Sequence, residues 1–317
     1  MQTKIVYTLI SDNTDYYYEQ ALISIYSLRL HNPNTTIYIV VDIDTYKTLK
    51  GKRKEIYKYA STIIPIDIPK EYNKMQRSRY LKTNLRKFVK GNYLFIDCDT
   101  IICQPLDNID LFEGEIGLVP DLNGELLLSD INTINKCNKI GFNNMKGKPY
   151  YNSGIIFAKD TTSVHLLYDT WHNLWLYSLN KGISNDQPAL NKANIESNLL
   201  IKTLDHSWNC QTQADGCKYI NTAKILHYYF GSNEYSYIRL TILKTIKEQG
   251  YIDSTTHKTL YNANTIAYSA FAIRNDMIYK YMNSYLLYVF FNFSSLFSLI
   301  ENLAKITLKF ILFIRRP

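Results

Sequence analysis

The sequence has 317 residues, of which 46% are hydrophobic and 20% are charged, and its formal charge is +8. A chain of this length and composition can bury enough apolar surface to fold without disulfide or zinc cross-links, as one large domain or two smaller ones. These values exclude a disordered protein, a collagen-like repeat and a cysteine-rich scaffold. A polytopic membrane protein is also excluded, because only the last segment of the chain is apolar enough to be considered as a span.

Strands and helices alternate over the first hundred residues. Each predicted strand is a short apolar run that ends in polar residues, and each predicted helix carries apolar side chains at helical spacing. In chain order we predict a strand at 4–10, a helix at 17–30, a strand at 37–41, a helix at 45–60, a strand at 62–66, a helix at 76–89 and a strand at 93–96. This alternation predicts an α/β fold with a mostly parallel central sheet flanked by helices.

After residue 110 the pattern is less regular. We predict strands at 114–120, 155–158 and 225–229, an amphipathic helix at 164–179, and a helical chain from residue 235 onward. In open α/β sheets, ligands bind beyond the carboxyl ends of the strands. Four aspartates follow predicted strands and are expected at that edge: Asp12, Asp42, Asp97 and Asp99.

Five scattered cysteines and a short apolar N-terminus favour a cytoplasmic location. The number of cysteines is odd and no Cys-x-x-Cys pair occurs, so free thiols in a reducing compartment are favoured over disulfides or a zinc site. The apolar stretch before Ser11 is too short for the core of a signal peptide and predicts a first strand instead.

The most informative motif is Asp97-Cys98-Asp99, which directly follows the apolar run from Tyr93 to Ile96. Two carboxylates two residues apart at the end of a strand point to the same side of the chain. Such oxygen ligands suit Mg²⁺ or Mn²⁺, above all when a diphosphate supplies the remaining ligands. Solvated turn aspartates are the alternative, and the metal site is favoured because the buried strand directs both carboxylates to the sheet edge.

Two classes of enzyme carry an Asp-x-Asp after a strand. Phosphatases of the haloacid dehalogenase type use one aspartate as a nucleophile, but their motif comes near the N-terminus and is followed by Gly-Thr. Nucleotide-sugar glycosyltransferases carry the motif after several βαβ units, as this sequence does. The second class is favoured, and the phosphatase is the alternative.

Further landmarks surround this motif in a fixed order over residues 4–232. They are Thr8-Leu-Ile-Ser-Asp12, Arg79, Leu94-Phe-Ile-Asp97-Cys-Asp99, Tyr151-Asn-Ser-Gly-Ile-Ile-Phe157, Asn185-Asp-Gln-Pro-Ala-Leu-Asn191, Ser207-Trp-Asn209 and Ile225-Leu-His227-Tyr228. In this order they resemble the motifs of glycosyltransferase family 8. Enzymes of that family have the GT-A fold, use UDP-sugars with Mn²⁺ and retain the configuration of the transferred sugar.

The resemblance implies a role for each landmark. It implies that Asp97, Asp99 and His227 bind the metal ion, Mn²⁺ or Mg²⁺. It implies that the donor is bound by Thr8, Asp12, Arg79, Cys98, Asn152 and Ser153. The implied catalytic residues are Gln187 and Asp186. The implied activity is metal-dependent transfer of a hexose from a UDP-sugar to a glycan or lipid-linked acceptor, in the synthesis of surface polysaccharide or lipopolysaccharide. A related GT-A transferase outside the family is an alternative. No Asp or Glu stands out as the general base of an inverting enzyme.

Several of these residues also have structural interpretations. A histidine on an apolar strand, such as His227, is commonly a hydrogen-bonded core residue. Asp186 would cap a helix with Pro188 at its first position, and Arg79 belongs to a basic stretch typical of a solvated helix face. The segment Asn152-Ser153-Gly154 fits a turn that enters a strand and, equally well, a site where the small glycine lets the donor sugar approach the backbone and the Asn152 amide contacts it.

One feature departs from the family. Its members have a lysine about six residues after the metal-binding histidine, and this lysine holds the leaving diphosphate. The segment from His227 to Glu234 contains no lysine. Arg239 and Lys244 are the candidates to replace it.

The chain ends in an aromatic, amphipathic and basic segment at 281–317. Within 285–317 the four cations Lys305, Lys309, Arg315 and Arg316 outnumber the single anion Glu301. Such a helix is typical of one that lies on an anionic membrane surface, with packing on the protein as the alternative. We therefore predict a GT-A catalytic domain at 1–240 and a helical C-terminal region at 241–317, peripheral to the cytoplasmic membrane face. No nucleic-acid partner is expected, because no recognition motif accompanies the positive charge.

Overall fold

Seven strands form the central sheet of the computed structural model, which describes residues 1–212, 215–229, 237–265, 271 and 293–314. The ten strands are β1 (Lys4–Leu9), β2 (Ile37–Asp42), β3 (Thr62–Ile66), β4 (Tyr93–Ile96), β5 (Thr100–Ile102), β6 (Ile116–Leu118), β7 (Ile155–Ala158), β8 (Ile201–Thr203), β9 (Cys210–Gln211) and β10 (Ile225–His227). The central sheet has the order β3-β2-β1-β4-β7-β6-β8. Its pairs are parallel except for those that β7 makes with β4 and β6.

Helices cover both faces of this sheet. They are α1 (Tyr17–His31), α2 (Ile43–Thr48), α3 (Lys74–Thr83), α4 (Leu85–Phe88), α5 (Ile131–Lys139), α6 (Thr162–Asn180), α7 (Gln187–Glu196), α8 (Tyr237–Gln249), α9 (Ser254–Tyr261) and α10 (Ser294–Ile314). Successive side chains of a strand point to opposite faces. In β1, Tyr7 packs into a core with α1, α8 and α9, while Val6 packs into a second core with α3, α6 and α7. This arrangement confirms the predicted α/β class with a mostly parallel sheet flanked by helices.

A second, three-stranded sheet has the order β5-β10-β9. Strand β5 begins directly after the Asp97-Cys98-Asp99 motif and pairs antiparallel with β10, so that Thr100 lies opposite His227. This pairing brings together two parts of the chain that are far apart in sequence. The position of His227 therefore depends on the β5–β10 register.

Two predicted helices are interrupted. The helix predicted at 45–60 consists of α2 and a 3₁₀ helix at Gly51–Lys58, and Gly51 has a φ of +59° that an α-helix does not accommodate. The helix predicted at 76–89 begins earlier, at a capping box formed by Asn73 and Gln76, and it breaks at Asn84 into α3 and α4. Four short elements, β5, β8, β9 and α5, were not predicted.

The first part of the predicted C-terminal region packs on the α/β domain. Leu243 and Ile246 of α8 and Leu260 of α9 belong to the same hydrophobic core as α1. The division of the chain at residue 240 stays a prediction. Of the amphipathic segment predicted at 281–317, residues 281–292 and 315–317 lie outside the described part of the chain.

Helix α10 presents apolar side chains to solvent. Leu296, Leu299, Leu303, Ile306 and Phe310 are each about half exposed or more. They recur at intervals of three and four residues, which places them on one face of the helix. Glu301 forms ion pairs with Lys218 at 2.6 Å and with Lys305 at 2.8 Å. Within the described ranges, no helix combines the length and the apolarity needed to cross a membrane.

Candidate active site and metal centre

A cleft of about 530 Å³ opens at the carboxyl edge of the central sheet. Its walls come from the ends of β1, β4 and β10, from α3, from the turn before β7 and from the start of α7. All the predicted site residues except Asp12 line it: Thr8, Arg79, Asp97, Cys98, Asp99, Asn152, Ser153, Asp186, Gln187 and His227. The sheet edge predicted to bind a ligand is therefore the edge that carries this cleft.

The predicted metal ligands converge on one point of the cleft. Ligand atoms of Asp97, Asp99 and His227 lie within 4.8 Å of one another. The His227 Nε2 atom is 3.3 Å from Asp99 Oδ1. His227 is buried, while the two carboxylates are partly exposed to the cleft. Two carboxylates and an imidazole form a ligand set that suits Mn²⁺ or Mg²⁺ with further oxygen ligands from a phosphate.

A chain of amide groups orients the imidazole of His227. Its Nδ1 atom is 3.0 Å from Asn209 Oδ1, an acceptor, so Nδ1 carries the proton and donates. The Asn209 amide donates in turn to Asn152 Oδ1 at 2.9 Å. In the neutral ring, the lone pair of Nε2 then faces the acceptor oxygen of Asp99, and a cation shared by the two would stabilise this pair. The residues present thus fit a divalent metal ion, held in the way that outer hydrogen bonds commonly orient a histidine ligand.

Gly154 lies against the imidazole of His227. A Cβ atom at this position would lie 2.3 Å from His227 Cε1 and 2.8 Å from its Nδ1, so the glycine makes room for the imidazole. The Gly154 N–H also donates to Asn152 Oδ1, and its carbonyl accepts from the Asp97 N–H. The Asn-Ser-Gly segment therefore supports the candidate metal ligands, and approach of a donor sugar to Gly154 stays a prediction.

Tyr229 packs on His227. The two rings are stacked with their centroids 4.0 Å apart and their planes 11° apart. The Tyr229 hydroxyl accepts from Asn152 Nδ2 at 2.6 Å and donates to Gln211 Oε1 at 2.8 Å. Burial raises the pKa of this phenol well above its ordinary value. Tyr229 thus stays protonated and joins the amide groups around His227.

Two cations from α3 pair with two carboxylates at the cleft. The Lys82 Nζ atom is 3.1 Å from Asp97 Oδ2, 3.3 Å from Ser153 Oγ and 3.9 Å from Asp186 Oδ2. Arg79 Nε is 2.9 Å from Asp186 Oδ1. The order Asp97, Lys82, Asp186, Arg79 alternates negative and positive charges across the cleft wall.

The pKa values of the two carboxyls shift in opposite directions. Burial raises the pKa of Asp97 above its ordinary value, with Lys82 opposing this effect and Asp99 adding to it. For Asp186, burial also acts to raise the pKa, but Lys82 and Arg79 outweigh it and the pKa lies below its ordinary value. Asp186 therefore stays ionised as the counter-ion of two cations, which makes it a poor general base.

Other predicted roles differ from what the structure shows. The side chain of Asp186 does not cap α7; the Gln187 N–H bonds instead to Asn185 Oδ1, and Pro188 is the second residue of the helix. Asp12 lies outside the cleft and forms an ion pair at 2.5 Å with Lys74, a residue that does line it. Asp42 caps α2 and pairs with Arg77.

Neither candidate for the missing diphosphate lysine reaches the cleft. Arg239 is buried, and it donates from Nε to the Phe271 carbonyl and from Nη1 to the carbonyls of Tyr228 and Tyr229. Lys244 is exposed on α8 and does not line the cleft. The cationic side chains of the described residues that line it are Lys74, Arg79 and Lys82. The segment 230–236, where the family's lysine would lie, is outside the described residues.

Sequence reasoning missed Lys82, Tyr229 and the contact of Asn209 with His227. Lys82 and Arg79 stand in one basic stretch, and a pattern of basic residues does not show which of them turns inward. Asn209 was part of a landmark, but its partner depends on the pairing of β9 with β10. Tyr228 and Tyr229 directly follow β10. The alternation of side chains along a strand is the one signal in the sequence that they point in opposite directions, and it does not show which of them faces the cleft.

The described domain is thus a mixed α/β structure with a candidate metal centre at the carboxyl edge of its sheet. No protein-family model and no curated protein matches the chain. Among solved structures it is similar to mouse xyloside xylosyltransferase 1, with 14% identity, a TM-score of 0.49, and coverage of 71% of this chain and 97% of the other. It is also similar to the bifunctional glycosyltransferase WbbM, with 15% identity, a TM-score of 0.46, and coverage of 73% of this chain and 46% of the other. A third similar structure is that of the glycosyltransferase GlyE of Streptococcus pneumoniae, with 16% identity, a TM-score of 0.46, and coverage of 86% of this chain and 66% of the other.

Proposed function

We propose that this chain is a metal-dependent glycosyltransferase that transfers a hexose from a UDP-sugar to a glycan or glycolipid acceptor with retention of configuration. The observation that carries this proposal is the cluster of Asp97, Asp99 and His227 in a cleft that also holds basic side chains. Synthesis of surface polysaccharide or lipopolysaccharide and membership of glycosyltransferase family 8 are part of the proposal. Family membership rests on the order of the sequence landmarks, and synthesis of a surface glycan rests on the basic, apolar C-terminal segment, which suits a lipid-linked acceptor.

The metal-binding end of the cleft suits the diphosphate of the donor. Mn²⁺ or Mg²⁺ held by the carboxylates and the imidazole would act as a Lewis acid that offsets the negative charge of the departing UDP. Arg79 and Lys74 are the neighbouring cleft cations that can add to this charge stabilisation. Thr8 and Cys98 line the end of β1, where the uridine would lie, and the Cys98 thiol donates to the Thr8 carbonyl at 3.2 Å.

The other end of the cleft suits the sugar. Gln187 Oε1 is 3.4 Å from both Asn152 Nδ2 and the Ser153 N–H, so its amide is held against the wall of the cleft. Asp97, Asp99 and Asp186 are the carboxylates among the described lining residues, and each already faces a cation or the metal-binding histidine. Without a carboxylate placed as a general base, the site favours retention, in which the acceptor attacks from the face that the leaving group vacates. Gln187 then contributes an electrostatic and positioning role.

We expect UDP and Mn²⁺ together to raise the Tm of the protein by about 3–6 °C at saturating concentrations, and either one alone to raise it much less. The reason is that the protein supplies three ligands and the diphosphate supplies others, so each ligand strengthens binding of the other. Differential scanning fluorimetry with and without EDTA measures this effect. Stabilisation by inorganic phosphate or vanadate without UDP would support the phosphatase alternative, and stabilisation by duplex DNA would contradict both. Release of UDP from UDP-glucose, UDP-galactose and their N-acetyl forms then identifies the donor.

Helix α10 supports the proposed location at the cytoplasmic membrane face. Its exposed apolar residues, together with the cations Lys305, Lys309, Arg315 and Arg316 in the same segment of the sequence, are suited to the interface of an anionic bilayer, near a lipid-linked acceptor. We expect the full chain to float with vesicles that contain phosphatidylglycerol and not with phosphatidylcholine vesicles. A Leu299→Gln/Leu303→Gln/Ile306→Gln variant should lose this binding, whereas Leu111→Gln, which changes an exposed leucine of the α/β domain, should keep it. Equal flotation of all three proteins would refute the membrane role of α10.

A further inference from the structure

Lys82 is an almost fully buried ammonium group at the wall of the candidate metal site. Its side chain is 1% exposed. The Nζ atom contacts both oxygens of Asp97, at 3.3 and 3.1 Å, and it lies 4.9 Å from the centre of the Phe95 ring. Burial of an ammonium group is costly unless carboxylates compensate its charge. Here Asp97 and Asp186 provide that compensation.

This contact alters the charge that a metal ion meets. Of the three candidate ligands, the imidazole is neutral when it binds a metal, and the carboxylate of Asp97 is already paired with Lys82. The negative charge available to a divalent ion then comes mainly from Asp99. The nearby ammonium also repels a divalent cation, and since Lys82 itself is almost fully buried, solvent screens this repulsion less than it would for an exposed lysine.

A diphosphate reverses this balance. It brings negative charge and oxygen ligands to the ion, and the same ammonium that repels the ion attracts the diphosphate. Lys82 reaches Ser153 and Asp186 as well, so it connects the metal-binding half of the cleft with the half proposed for the sugar.

We propose that Lys82 is a positioning residue that acts as an internal counter-cation of Asp97, weakening the binding of a free divalent ion so that the ion is held firmly only together with a nucleotide diphosphate. This inference rests on the proposed function, which makes a metal ion and a UDP-sugar the ligands of the cleft. It predicts that removal of the ammonium strengthens the binding of Mn²⁺ alone and reduces the additional strengthening that UDP provides. A residue that only maintained the shape of the site would affect both in the same direction.

The test measures free Mn²⁺ by electron paramagnetic resonance during titration of the folded protein, with and without UDP. For Lys82→Met, we expect Mn²⁺ alone to bind about tenfold more tightly than to the wild type, because the repulsion is removed. UDP should strengthen Mn²⁺ binding less in this variant than in the wild type. Lys82→Arg keeps the charge and should restore the wild-type pattern. Lys87→Met removes an exposed lysine whose partner is Asp169, and it should change neither affinity.

Lys82→Met leaves Asp186 with Arg79 as its remaining described cation, which can prevent folding. A Lys82→Met/Asp186→Asn variant balances this charge, and Mn²⁺ alone is expected to bind it about tenfold more tightly than it binds Asp186→Asn, which lacks the same carboxylate. If Lys82→Met binds Mn²⁺ alone no more tightly than the wild type, or the double variant no more tightly than Asp186→Asn, the inference is wrong. If the wild type binds no Mn²⁺ even with UDP, the proposed function itself fails. The two failures are therefore distinguishable.

Discussion

Replacement of Asp99 by asparagine is expected to lower sugar transfer by about a thousandfold and to abolish the Mn²⁺-dependent part of UDP binding. Asparagine keeps the size of the side chain and removes the charge that faces His227 Nε2 at 3.3 Å. Since Asp97 is paired with Lys82, Asp99 supplies most of the negative charge that the metal site can offer. Loss of metal-assisted stabilisation of a leaving group is worth several kcal/mol, and each 1.36 kcal/mol is a factor of ten in rate.

Two measurements on Asp99→Asn separate chemistry from stability. Transfer is followed by UDP release, and binding by calorimetric titration of UDP with Mn²⁺ and with EDTA. In EDTA the variant should bind UDP as the wild type does, because the contacts to the nucleoside do not involve the metal. Asp44→Asn, which changes an exposed aspartate outside the cleft, is the matched control and should behave like the wild type. Intact UDP-sugar turnover by Asp99→Asn would refute the metal-dependent mechanism.

The sequence predicted that the candidate metal ligands lie together at the sheet edge, because simple rules apply to them. The apolar run before Asp97 and the alternation of strands and helices place the motif at the carboxyl edge of a parallel sheet. For His227, the prediction depended on the order of the family landmarks. The structure provides the physical reason, since the antiparallel pairing of β5 with β10 sets Thr100 opposite His227 and so brings the imidazole to the aspartates.

The roles of Lys82 and Asp186 could not be predicted in this way. Local rules assign a lysine in a basic helix to solvent, and an aspartate before a Gln-Pro to a helix cap. In the fold, α3 and the start of α7 meet at the cleft, and the two charges compensate each other at a distance of 3.9 Å. Sequence patterns report local preferences, whereas this pairing depends on tertiary packing over more than a hundred residues.

The predicted helix at 76–89 shows the same limit for secondary structure. Its apolar spacing continues through residue 88, yet the helix breaks at Asn84, whose side-chain amide donates to the Tyr80 carbonyl. Both the Asn84 amide and the Thr83 hydroxyl also contact the partly buried His172 of α6. Burial lowers the pKa of His172 to about 4, which keeps its ring neutral at physiological pH. The break between α3 and α4 thus coincides with a contact to α6, a helix distant in sequence. The spacing of apolar residues in 76–89 did not reveal this break.

Substitution of Gly154 by alanine is expected to destabilise the protein by about 1–3 kcal/mol and to weaken Mn²⁺ binding in the presence of UDP by at least tenfold. The new methyl group would lie 2.3 Å from His227 Cε1, so the ring or the strand must move. Either movement disturbs the hydrogen bond from His227 to Asn209 and the approach of Nε2 to Asp99. Urea unfolding gives the stability, and Mn²⁺ titration of the UDP complex gives the affinity.

Two other glycines are the controls for Gly154→Ala. Gly124→Ala should leave both quantities unchanged, since its Cβ would meet the Asp121 carbonyl at an ordinary 3.6 Å. Gly117→Ala places a methyl group 2.7 Å from the Phe112 ring, away from the cleft, and should lower stability without changing metal affinity. In a double-mutant cycle with His227→Ala, the cost of Gly154→Ala should largely disappear, because the clashing ring is gone. An unchanged cost in the His227→Ala background would show that Gly154 serves another purpose, such as the approach of the donor sugar to the backbone.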